Sequence, residues 1–110
     1  MNNNYGPVYE IVGFSSLTDE DVKKFQDDFI KFFLKKGAVP GNLSKGSRLG
    51  VYVDRNSEYP DLELEHLKDG KLHVCDMDVH NASLLKHLRI FLNNFKDLQL
   101  VKILDAANNN

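Results

Sequence analysis

Between residues 62 and 80 the chain reads LELEHLKDGKLHVCDMDVH and gathers Glu63, Glu65, Asp76 and Asp78 with His66, His73, His80 and Cys75, its only cysteine. Three kinds of chemistry suit these side chains. Two imidazoles and a thiolate, from His66, His73 and Cys75, form a minimal set for a soft divalent metal such as zinc, and a thiol beside a histidine base is also the start of a nucleophilic pair. Asp76, Asp78 and His80 alternate along one strand and point the same way, which suits a hard cation or proton abstraction with Glu63 alongside. Taken together, the four carboxylates make an acidic surface of the kind that steers and pairs with a basic protein.

Spacing favours the last of these. No CxxC or HxxxH pattern reinforces a zinc set, and a lone inward cysteine on a strand is commonly a small core residue with poor access for attack. The sequence supplies no glycine-rich substrate loop or second carboxylate shell of the kind an enzyme should show. Residues 41–47, GNLSKGS, invite comparison with a phosphate-binding loop, but the G-x-x-x-x-G-K-[ST] order is absent and a helix precedes them rather than a strand. The expectation is a non-enzymatic protein without a cofactor, with His66, His73 and Cys75, or Asp76, Asp78 and His80, as the alternative metal-binding or metal-dependent reading.

The elements that must position these residues begin with a hairpin. Asp69-Gly70 is a two-residue turn signal, so Leu67 is expected opposite Leu72 and His66 opposite His73. Leu64 then falls opposite Cys75 and Leu62 opposite Met77 on an apolar face, while Glu65 meets Val74 and Glu63 meets Asp76 on the other, with Asp78 one step beyond. A directly opposed pair of carboxylates costs from a few tenths to about 1 kcal/mol. A basic partner would turn that repulsion into attraction.

Around the hairpin, VYEIVGF at residues 8–14 reads as a central strand, apolar on both faces except at Glu10. Thr18 caps a helix with Asp21 in the reciprocal position and Leu17 set to pack on Val22. Val22, Phe25, Phe29, Phe32 and Phe33 then recur at steps of three and four, and Lys35, Lys36 and Gly37 close the helix. Residues 38–47 read as a loop, and RLGVYVD at residues 48–54 as a half-buried strand with Tyr52 and Asp54 on the face away from Leu49 and Val51. Asn81 caps a second helix whose stripe runs Leu84, Leu85, Leu88, Phe91, Leu92 and Phe95, with Lys86, His87, Arg89 and Lys96 outside. LQLVKIL at residues 98–104 is a last strand.

Two one-striped amphipathic helices need one face of a sheet. The expected fold is therefore α+β, a two-layer sandwich with two helices on one face of a mainly antiparallel sheet of four or five strands, in the order β-α-β-β-β-α-β. That order resembles the ferredoxin-like βαββαβ arrangement in outline, with an extra strand between the halves. Many unrelated functions use such a plan.

Bulk properties set the remaining bounds. One domain is expected over residues 1–110, ordered from about 5 to 106, with Asn-rich tails at both ends. A net charge of −2 gives no global field for nucleic acid or anionic lipid, and the four dispersed cations of the second helix are a solvated face. A single cysteine, no apolar leader and no long apolar run point to the cytoplasm and away from membranes. These readings converge on a small protein-binding module, of the inhibitor or immunity-protein class. Its working face is Tyr52, Asp54, Glu63, Glu65, Asp76 and Asp78, its partner a basic protein, and a homodimer through the same face the further reading.

Overall fold

The computed structural model describes residues 6–34, 43–53, 56, 58–77, 82–95 and 97–105. The strands are β1 (Val8–Val12), β2 (Arg48–Val51), β3 (Leu62–His66), β4 (Leu72–Asp76) and β5 (Gln99–Leu104), and the helices are α1 (Asp19–Phe33) and α2 (Ala82–Leu92). Their order in the chain is β-α-β-β-β-α-β, and the five strands form one antiparallel sheet in the order β2-β3-β4-β1-β5. β1 is central, as its two apolar faces predict. β5, whose segment LQLVKIL also carries apolar residues on both alternating faces, is an edge strand.

Local chemistry explains where α1 starts. The Thr18 hydroxyl accepts a hydrogen bond from the Asp21 N–H at 3.1 Å, and Asp19, Glu20 and Asp21 place negative charge in the positive first turn. Phe25, Phe29 and Phe33 then bury one stripe completely. The expected close of this helix at Lys35, Lys36 and Gly37, and the Asn81 cap of α2, lie outside the described residues.

The two helices meet through aromatic rings. Phe91 of α2 packs edge-on against Phe25 and Phe29 at centroid distances of 5.3 and 5.7 Å, and Phe95 joins through the turn that follows α2. Both helices share one core with Tyr9, Ile11, Leu49, Val51, Leu62, Leu64, Leu72 and Val74, the inward side chains of the sheet. Burying a side chain of this size stabilises by about 1.5–3 kcal/mol, so this one layer of contact holds the sandwich together. The opposite face of the sheet has no helix among the described residues.

The hairpin register differs from the expected one by one residue. Leu67 N–H donates to the Lys71 carbonyl and Gly70 N–H to the Leu67 carbonyl, so the loop has three residues, Lys68, Asp69 and Gly70, with Gly70 left-handed at φ 96°. The Asp69 carboxylate accepts from Lys71 N–H at 2.9 Å and braces this turn. Glu63 is therefore opposite Cys75, Leu64 opposite Val74, Glu65 opposite His73 and His66 opposite Leu72. Because side chains alternate with period two, the single extra loop residue turns every side chain of β4 to the other face. Val74 goes inside at 0% exposure, Asp76 follows it, and His73 and Cys75 come out.

Candidate functional site

On the helix-free face the strand pairings line residues up in rows that cross the sheet. One row runs Arg48, Glu65, His73, Glu10, Val101, and the next runs Gly50, Glu63, Cys75, Val8, Leu104. Val12 stands beyond them, opposite Gln99. The face is polar over β2, β3 and β4 and apolar over β1 and β5, with Glu10 at the join. A bulge between the Val8 and Tyr9 pairings leaves Ile103 as the extra residue of β5.

Charge on the polar half is partly balanced within the protein. Arg48 reaches Glu65 at 3.5 Å, a surface contact worth little in stability but enough to occupy one of the carboxylates. Glu63 and Glu10 form no ion pair among the described residues. The Cys75 thiol, next to Glu63, is pushed above its ordinary pKa, first by burial, then by the Glu63 carboxylate and then by Asp76. Its Sγ lies 3.3 Å from Met77 Sδ and 4.0 Å from the Gly6 carbonyl oxygen. A thiol kept protonated in this way is a poor nucleophile and a poor metal ligand.

The residues expected to form the working face have four different placements. Glu63 and Glu65 are on the open face. Asp76 is not: it is 5% exposed, on the helix side of the sheet, because the three-residue turn reverses β4. Asp54 and Asp78 lie outside the described residues, as does His80 of the alternative Asp76, Asp78 and His80 set. Tyr52 follows β2, and its ring packs over Gly50, where a Cβ would come within 2.9 Å of Tyr52 Cε1 and 3.0 Å of Pro60 Cβ. It is a lid on its own sheet, half-buried, rather than a free anchor.

The alternative soft-metal set is not brought together either. His66 is on the inner face and His73 and Cys75 on the outer, a consequence of the same one-residue change. No cluster of three His, Cys, Asp or Glu side chains suited to a metal occurs among the described residues. His66 instead has its Nδ1 against the Leu43 carbonyl and its ring edge-on to Phe14 at 5.1 Å.

Sequence reasoning missed Glu10 and the apolar pair Val12 and Val101 as named members of the face. The register of β4, by contrast, was legible in Val74. A register that places this β-branched residue among carboxylates leaves the most strand-favouring apolar side chain of β4 in water, whereas pairing it with Leu64 buries both.

No helix among the described residues is long and apolar enough to cross a membrane. Compared with protein families, with curated proteins and with solved structures, the chain matches none.

Proposed function

We propose that the chain is a non-enzymatic protein-binding module that works through the open sheet face, in the manner of a small inhibitor or immunity-type protein. The observation that carries this reading is the exposed apolar strip beside an acid that forms no ion pair among the described residues: Val12, Val101 and Leu104 are 41%, 43% and 61% exposed, and Glu10 is the cross-strand neighbour of Val101. Contiguous apolar surface of this kind, rimmed by charge, is characteristic of an interaction site. Ile103 and the outer edge of β5, unpaired among the described residues, continue it.

The partner that fits is a protein with an apolar patch flanked by Lys or Arg. Apolar contact over β1 and β5 supplies affinity, and Glu10 and Glu63 steer encounter and fix orientation. The free thiol of Cys75 suits a reducing compartment, and we place the module in the cytoplasm.

Capture from a native lysate tests this. A basic protein retained by the wild type and lost by a Glu10→Gln, Glu63→Gln, Val101→Ser variant supports the reading; equal retention by both overturns it. Solution mass measured at several concentrations separates a monomer awaiting its partner from a homodimer through the same face.

A further inference from the structure

We infer that the outer edge of β5 pairs antiparallel with the same edge of a second copy of the chain, joining the two sheets into one across a two-fold axis. The contact is made by the strand edge and not by the open face, so it stands or falls independently of the function proposed above.

The sheet leaves this edge bare. Among the described residues β5 has a hydrogen-bonded neighbour, β1, on one side only, and its six residues make it the longest strand of the sheet. Free N–H and C=O groups along such an edge are a template for another strand. Val101, Ile103 and Leu104 of β5 are all exposed, whereas β2, at the opposite edge, has four residues and buries Leu49 and Val51.

Charge order along the edge identifies the occupant. Lys102 is opposite Tyr9, a core residue, and is therefore on the helix side of the sheet. Leu104 is opposite Val8, on the open side, because Ile103 is the extra residue of the bulge. Asp105, the next residue, returns to the helix side, where a regular strand would have put it on the face away from Lys102. Lys102 Nζ accordingly lies 3.6 Å from Asp105 Oδ1, and both side chains are open to solvent.

A two-fold axis between Ile103 and Leu104 makes this stretch complementary to itself. In an antiparallel pair with that centre, Lys102 is opposite the second copy's Asp105, Asp105 is opposite its Lys102, and Ile103 meets its Leu104 in both directions. The bulge makes this pairing possible, since without it the lysine and the aspartate would be on different faces and could not be opposed. A lysine on an edge strand ordinarily discourages association, and a pairing centred on Lys102 would set like charges together. In the inferred register the same lysine attracts instead. Each charge then has an opposite one beside it in its own chain and another across the junction, a ring of four with alternating sign.

The test is sedimentation of the full chain over a range of concentrations, with native mass spectrometry to tell mixed pairs from like pairs. The wild type should pass reversibly from one chain to two. Lys102→Asp makes the edge wholly acidic and Asp105→Lys makes it wholly basic, so each variant alone should self-associate at least tenfold more weakly. Mixed in equal amounts, the two variants should recover a dimer containing one of each, which also shows that both are folded. Glu10→Gln together with Glu63→Gln, on the open face, should leave association unchanged. A wild type that remains a single chain up to millimolar concentration overturns the proposal. Undiminished association of either charge variant overturns it too, as does failure of the mixture to pair. Loss of association in the Glu10→Gln, Glu63→Gln variant would move the contact to the open face and overturn it equally.

Discussion

Glu63 faces Cys75 directly across the β3–β4 ladder on the open side of the sheet. The pairing sets a carboxylate against a thiol already half removed from water, and burial and charge act in the same direction on it. Cys75 should therefore alkylate more slowly near neutral pH than an unhindered thiol, and Glu63→Gln should speed the reaction by lowering its pKa part of the way back. A thiol whose folded pKa is raised contributes its full stability below the ordinary thiol value and loses it as pH rises through the folded one. Iodoacetamide rates measured against pH check this, and identical profiles for the two proteins would contradict the charge coupling.

The same relationship can be trapped covalently. Residues opposed in an antiparallel pair have Cα atoms about 4.5–5.5 Å apart, inside the range a disulfide spans. Glu63→Cys should therefore close an intramolecular bond to Cys75 on mild oxidation and add up to about 3 kcal/mol of stability through the loop it restrains. Peptide mass mapping without reductant reads the result. A register shifted by one residue would turn Cys75 toward the helices, and only intermolecular dimers would form.

Gly13 has φ 99°, and a Cβ there would stand 2.2 Å from the Asp97 carbonyl oxygen. Gly13→Ala should cost roughly 2–4 kcal/mol, from left-handed backbone strain together with a clash against main chain that cannot step aside. Gly46, also left-handed at φ 88° but with open space around it, should lose only about 1 kcal/mol as alanine. Urea unfolding of the two variants gives the comparison; equal midpoints would show that the Asp97 approach is not tight.

Removal of core rings and removal of face residues should separate stability from binding. Phe29 is 0% exposed and packs between Phe25, Phe33 and Phe91, so Phe29→Ala should cost about 3–5 kcal/mol. Val101→Ser, on the exposed strip, should change the unfolding free energy by no more than about 0.5 kcal/mol. A large loss at Val101 would mean that the strip is held by the fold rather than offered to a partner.

What the sequence determined by itself is whatever depends on neighbours in the chain. The Thr18 cap, the phenylalanine stripe of α1, the leucine stripe of α2 and the alternation of β3 all follow from local spacing, and with them the two-layer α+β arrangement. The faces of β4 did not follow. Asp-Gly reads equally as the centre of a two-residue turn or as the end of a three-residue one, and that single residue decides whether Asp76 or Cys75 meets water. The choice is made by burial, because only one register sets Val74 against Leu64 under the helices. Whether an apolar strand lies at the centre or the edge is likewise invisible in its own pattern: β1 and β5 read alike, and β5 is exposed because the sheet ends with it. The open face arises from these long-range placements, and for that reason its members are scattered through the chain.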